Sequence, residues 1–254
     1  MRFEKFQPIE QLRPYVRHFV LSEHAAENTY TVFPQTGLVI GFQYRGRLYE
    51  KKEGADMILS TAGITGLTDA AKTFTNTVNA GSLLVYFSET GFAHFTSHPV
   101  HDLFNLSLGL DELFSSSAIA IVEEKLSAAS TDRQRINVVE RFLLAQLRHI
   151  ETDRLVMEAV RLIYHSHGTM RISDLHKMLL ISQSPFEKRF RKTVGTTAKK
   201  FASIVRLNAV MKNMGAAKSL TDLCYEYGFF DQAHFIKELK QFTGHTPEQL
   251  KRFL

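Results

Sequence analysis

A chain of 254 residues with 44% hydrophobic and 22% charged residues has the composition of a folded protein long enough for two cores, and excludes a disordered or fibrous one. No apolar run reaches the roughly 18 residues of a membrane span, the first residues lack a signal-peptide pattern, and the single cysteine, Cys224, excludes an internal disulfide or a cysteine-rich zinc site; the expectation is a cytoplasmic protein with no membrane partner. Charge is unevenly divided: residues 1–150 carry 14 Lys and Arg against 16 Asp and Glu, and residues 151–254 carry 17 against 10, so only the C-terminal part is suited to meet phosphates.

The first half alternates with period two. The pattern predicts strands over Tyr15–Leu21, Thr29–Phe33, Leu38–Tyr44, Arg47–Lys51, Met57–Thr61, Lys72–Asn79 and Ser82–Phe87. Turns fall at Pro34-Gln35-Thr36-Gly37, Arg45-Gly46 and Asn79-Ala80-Gly81. Seven short strands imply an antiparallel barrel or sandwich. From Gly91 the pattern turns helical, most clearly over Thr131–Ile150, where Ile136, Val139, Leu143, Leu147 and Ile150 share a face. That stripe could be a homodimer seam or pack within its own domain. The polar run 149–153, HIETD, is the expected boundary between a β-rich domain with helical appendage (1–150) and an all-α domain (151–254).

Metal and enzyme chemistry are disfavoured. His94, His98 and His101 have helical spacing in part, but Pro99 interrupts it and only Asp102 stands near. Metal-dependent barrel catalysis needs clustered His-x-His and Glu among the strands, and residues 29–87 contain no His. Cys224 falls on the apolar face of a short helix, where a free thiol is usually a small hydrophobe. No Gly-rich phosphate loop, Ser-His-Asp set or cofactor motif stands out.

The second half has period 3.6. A helix is expected from about Asp153 to Tyr164, then a loop around Gly168, then a helix opened by Ser173 or the residue before it, with Ile172, Leu175 and Leu179 inward. A turn at Leu180-Ile181 leads to Ser182, which should cap a helix from Gln183 to Val194 that buries Phe186 and Phe190 and stops at Gly195. Residues Thr196–Lys218 carry an apolar stripe through Phe201, Ile204, Val205, Leu207 and Met211 without Pro, which predicts one long helix. Beyond it Ser219 caps a short helix with Leu220, Leu223, Cys224 and Tyr227 inward, and Gly228 supplies a tight turn. A helix from about Asp231 buries Phe235, Leu239 and Phe242, Gly244 ends it, and Thr246-Pro247 starts a last one. This is helix-turn-helix patterning twice over, and such units lay their second helix in the DNA major groove.

Across about 100 positions these residues resemble the DNA-binding domain of the AraC/XylS family of bacterial transcription regulators. The resemblance rests on Ile172, Asp174, Leu175, Ser182, Phe186, Arg189, Phe190, Gly195, Phe201, Arg206 and Leu207. It continues through Leu220, Leu223, Gly228, Phe229, Asp231, His234, Phe235, Lys240, Gly244, Thr246 and Pro247. Departures are His176 and Cys224 at small-residue positions, Leu180 at a turn position usually glycine or polar, and Thr197-Ala198 in place of Ser-Pro. The first half is similar to the cupin-like β-barrel sensor of such regulators, notably from Leu12-Arg13-Pro14-Tyr15-Val16 through the Pro34 strand. The resemblance implies double-stranded DNA as partner and, in the N-terminal domain, a small-molecule effector pocket or a homodimer contact, with RNA polymerase as a further candidate partner. The residues themselves call for no cofactor and no enzyme activity, the rival reading being a small-molecule-binding barrel enzyme with a regulatory helical domain.

Side chains near the start of each recognition helix and away from its Phe face are the candidate base readers: Gln183, Ser184, Glu187 and Lys188 in the first unit, and Gln232, Ala233, Ile236 and Lys237 in the second. Arg191, Lys192, Lys199 and Lys240 are the candidate phosphate contacts. At the position matching Arg189 the family residue is structural, so Arg189 is left out of both groups. Two heads about one DNA turn (~34 Å) apart would read successive major-groove segments.

Overall fold

In the computed structural model, which describes residues 1–215 and 219–250, a β-rich part is followed by a helical one. The strands are β1 (Arg2–Phe6), β2 (Val16–His24), β3 (Asn28–Val32), β4 (Val39–Arg45), β5 (Leu48–Lys51), β6 (Asp56–Ile58), β7 (Ala62–Thr65), β8 (Lys72–Asn76), β9 (Ala80–Phe87) and β10 (Ser107–Gly109). They form two antiparallel sheets, ordered β1-β2-β9-β4-β7-β10 and β3-β8-β5-β6. The sheets are separate and do not close into a barrel, so of the two expected architectures the two-sheet one is present. Period-two alternation sets the core: Phe19 and Leu21 on β2 face Val85 and Leu83 on β9, and Ile40 and Phe42 continue the layer on β4.

Several boundaries differ from the sequence pattern for identifiable reasons. β1 was not expected because RFEKF carries charge at an edge where most of its residues are exposed. The span 57–61 divides, with β6 ending at Ile58 and β7 starting at Ala62. Arg45-Gly46 does not close a simple hairpin, since β4 and β5 belong to different sheets. The turn before β9 rests on Asn79 alone in the left-handed region (φ 54°), and Ala80 and Gly81 are already strand. After Gly91 come three short 3-10 turns, Phe92–His94, Val100–Leu103 and Leu110–Glu112, before regular helix begins at α1 (Ser116–Ala128).

α2 (Asp132–Gln146) opens on a capping box in which Thr131 and Gln134 satisfy each other's backbone donors. Its Ile136, Val139 and Leu143 are buried, and Phe142 stacks edge-on against Phe42 of β4 (centroids 6.0 Å apart) and Phe114 (5.5 Å). The stripe therefore packs on its own sheet rather than being left for a partner, and the helix stops short of Leu147 and Ile150, the latter exposed.

The helical part comprises α3 (Arg154–His165), α4 (Ile172–Met178), α5 (Gln183–Val194), α6 (Ala198–Asn213), α7 (Leu220–Glu226), α8 (Gln232–Thr243) and α9 (Pro247–Leu250). Asp153 caps α3, Ser219 caps α7 and Asp231 caps α8, each side chain accepting from a backbone amide. Ser182 precedes α5 in extended backbone but makes no side-chain cap bond, and α4 starts at Ile172, the earlier of its two expected openings, behind Arg171. The helix expected over Thr196–Lys218 begins at Ala198, capped by Thr197, and ends at Asn213; the stretch 216–218 lies outside the described residues. Leu180, between α4 and α5, is exposed and left-handed (φ 51°), a conformation that strains a bulky side chain.

Candidate nucleic-acid interface

Each helix-turn-helix unit turns an apolar face inward and a polar one outward. On α5 Phe186, Phe190 and Val194 are wholly buried, and on α8 Phe235 and Leu239 are. The opposite faces carry the candidates. Gln183, Ser184 and Lys188 on α5 and Gln232, Ala233 and Lys237 on α8 are exposed, and Ile236 is half-buried. Arg191, Lys192, Lys199 and Lys240 are exposed as well. Glu187 departs from this pattern: it is half-buried and its Oε2 is covered without a hydrogen-bond partner.

Arg189 has a structural task. Its Nε donates to Asp153 Oδ2 at 2.8 Å and its Nη2 to Oδ1 at 2.7 Å, a fork that locks α5 to the start of α3. Burial raises the Asp153 carboxyl, and the bonds from Arg189 and from the backbone amide of Val156 more than reverse this, leaving it below the usual carboxylate range. The second unit is held through Arg206 of α6. Its Nη2 donates to Glu238 Oε2 at 2.6 Å, and its guanidinium lies 4.2 Å from the centre of the Phe229 ring. Asn213 Nδ2 donates to the Tyr227 hydroxyl at 2.6 Å. Cys224 is buried between these elements, and burial pushes its thiol up, the opposite of an activated nucleophile.

The β-rich part grips the first unit. α5 packs on the 3-10 turns Phe92–His94 and Val100–Leu103, and a Cβ on Gly195 would lie 3.0 Å from Val100 Cγ1 and 3.5 Å from Leu67 Cδ1. Lys200 of α6 donates to Asp69 at 2.8 Å, and Asn105 donates to the other oxygen of Asp69 at 2.9 Å. Asn208 donates to the Pro34 carbonyl at 3.1 Å. The Tyr164 hydroxyl of α3 sits among Thr36, Glu89 and Arg17; burial first, then the Glu89 charge, pushes its pKa up to about 12. None of these pairs has a local sequence signal, since their partners lie 36 to 174 positions apart, and the sequence reading missed them.

Between the two sheets lies a cavity of about 30 Å³ lined by polar side chains such as His24, Gln43 and Asn76 together with Leu48, Ala80 and Leu84. That is room for about two waters, far below a typical organic ligand site. His94 is buried against Tyr15 (ring centroids 4.7 Å apart) while His98 is exposed. Among the described residues no three His, Cys, Asp or Glu side chains are placed to hold a metal ion, and no helix is long and apolar enough to cross a membrane.

Two packed helix pairs, each presenting an outward second helix, define a protein of the helix-turn-helix class. Residues 175–252 match the helix-turn-helix domain family, and residues 4–108 match a domain of unknown function, DUF6597. The helix-turn-helix match falls within the residues that resemble the AraC/XylS DNA-binding domain. It is 24% identical over 143 residues to the Msm operon regulatory protein of Streptococcus mutans, covering 55% of this chain and 51% of that one. It is 27% identical over 88 residues to an uncharacterized HTH-type transcriptional regulator of Staphylococcus aureus, covering 34% of this chain and 12% of that one. The chain thus spans about half the length of the first relative and far less of the second. A solved structure of ToxT from Vibrio cholerae aligns over 93% of this chain and 98% of its own at 12% identity, with a TM-score of 0.48.

Proposed function

We propose that this chain is a sequence-specific DNA-binding transcription regulator in which α5 and α8 enter successive major-groove segments. The observation that carries the reading is the matched pair of second helices, each with its aromatic or aliphatic face buried and its Gln and Lys side chains in solvent. In this reading Gln183, Ser184, Glu187 and Lys188, and Gln232, Ala233, Ile236 and Lys237, face base edges, while Arg191, Lys192, Lys199 and Lys240 meet phosphates. Residues 1–150 form the controlling domain and 151–254 the DNA-binding one. The controlling domain acts through a small effector or a homodimer contact, by favouring the arrangement in which both heads engage, and the bound regulator is read by RNA polymerase. The protein works without catalysis.

The test is selection of bound sites from random duplex DNA by the full chain at 50 and 200 mM salt, conditions between which phosphate-driven affinity falls steeply. The expected product is a motif of two boxes about one helical turn (~10 bp) apart. Lys237→Ala should then relax preference at one position, while Lys240→Ala should weaken all sequences alike and lower the salt slope by about one. Absence of binding even at 50 mM would remove the DNA reading, and identical behaviour of the two variants would remove the division into readers and positioners.

A further inference from the structure

The two recognition helices correspond residue for residue. α5 and α8 are both 12 residues long, start at Gln183 and Gln232, and end at Gly195 and Gly244, each left-handed. In that register the outward side chains pair as Gln183 with Gln232, Lys188 with Lys237, and Arg191 with Lys240. The first two pairs are identical and the third keeps its charge. The exposed positions also differ at Pro185 and His234 and at Lys192 and Gln241, and Arg189 is replaced by Glu238. Among the candidate base readers the difference falls on Ser184 and Glu187 of the first head, which correspond to Ala233 and Ile236 of the second. On α8 these two apolar side chains form, with Lys237, Lys240 and Gln241, a shallow concavity. It is an apolar floor rimmed by cations, on a helix whose opposite side is fully packed.

The geometry points to a second head that reads thymine 5-methyl groups through Ala233 and Ile236. This rests on the DNA reading given above. In the major groove only thymine presents a methyl group, and apolar side chains are the groups that recognise it. Lys237 and Lys240 supply the attraction to phosphate and purine that brings an otherwise apolar floor against DNA. Ser184 and Glu187 cannot reward a methyl group, and a carboxylate there favours a cytosine amino group instead. The two boxes of the operator therefore share the bases met by the common Gln and Lys and differ between them, thymine for the second head and a polar edge for the first. Burying one methyl group is worth about a threefold to fivefold gain in affinity per thymine.

The experiment leaves the protein unchanged. The full chain selects sites from two random duplex libraries, one with thymine and one with uracil in its place, so that only the methyl groups differ. The expected result is a two-box motif from the first library and, from the second, loss of preference in one box with the other retained. With the thymine library, Ala233→Ser and, separately, Ile236→Ala should erase the thymine preference in that same box; the exposed Ala233 provides a variant that packing does not confound. Equal recovery of both boxes from the uracil library would overturn the proposal. So would a methyl-dependent box that neither variant alters. No motif from the thymine library would instead overturn the DNA reading itself, and this proposal with it.

Discussion

At the scale of single residues, Asp153 shows how one side chain serves two tasks. Its carboxylate caps α3 through the Val156 amide and receives the Arg189 fork from α5. Loss of a cap costs about 1 kcal/mol, and a partly exposed ion pair adds about 0.2–1 kcal/mol. Asp153→Ala should therefore destabilise the helical part by roughly 1–2 kcal/mol, and Arg189→Ala by less than about 1 kcal/mol, in urea unfolding at pH 7. The pH dependence has a definite sign. The folded pKa is depressed, so the contribution is fully present above the unfolded value near 4 and is lost as pH falls through the folded one. The difference between wild type and Asp153→Ala should shrink below about pH 4. A gap that stays constant from pH 7 to pH 2.5 would show that the carboxylate's charge is not what stabilises the junction.

At the scale of elements, the two left-handed helix ends make a controlled comparison. Gly195 (φ 100°) and Gly244 (φ 78°) close α5 and α8 in the same way, and alanine in that region costs about 1–2 kcal/mol of backbone strain. Their surroundings differ. A Cβ at Gly244 meets nothing within 4 Å, whereas one at Gly195 presses on Val100 and Leu67. Gly195→Ala should be the more destabilising of the two, by up to about 1 kcal/mol. It alone should raise amide hydrogen exchange around Val100–Leu103; equal losses with no change there would mean that the contact yields freely. This asymmetry also marks how far the sequence could be read. Both glycines, the cap at Ser219, the helix starts near Asp153 and Asp231, and the alternating β2, β4 and β9 were legible because their causes are local: a positive φ, an orphan amide, the onset of a 3.6 period, a period-two pleat. The exposure of the candidate readers followed from the same periodicity, with Glu187 and Ile236 the exceptions. The division at Ser60 and the separation of β4 from β5 into different sheets were not legible. Each is set by what the segment meets in space, and no residue at those points announces it.

At the scale of the whole molecule, the β-rich part holds α3, α5 and α6 by two kinds of contact that respond differently to solvent. One is apolar, where α5 and Gly195 lie on Val100 and Leu67, and salt barely affects it. The other is ionic and polar: Lys200 with Asp69, and Arg17 with Glu89 beside Tyr164. Both ion pairs have a partner with a third or more of its side chain exposed, so each is worth about 0.2–1 kcal/mol and is screened by salt. Among the described residues no comparable pair ties α8 to the sheets, and the second head hangs from α6 through Arg206 and Asn213. The two heads are thus unequally coupled to the domain that would control them. Hydrogen exchange should show it. Raising salt from 50 to 500 mM should speed exchange a fewfold in residues 33–38 and in α6 while leaving α8 unchanged. The double variant Asp69→Asn, Glu89→Gln should exchange fast at both salts, because the charged pairs are gone and only the apolar contact and the uncharged bonds of Asn208 and Tyr164 are left. Identical, salt-independent exchange in wild type and variant would mean that the apolar contact alone sets the coupling, and that the charged pairs are surface decoration on a joint held by packing.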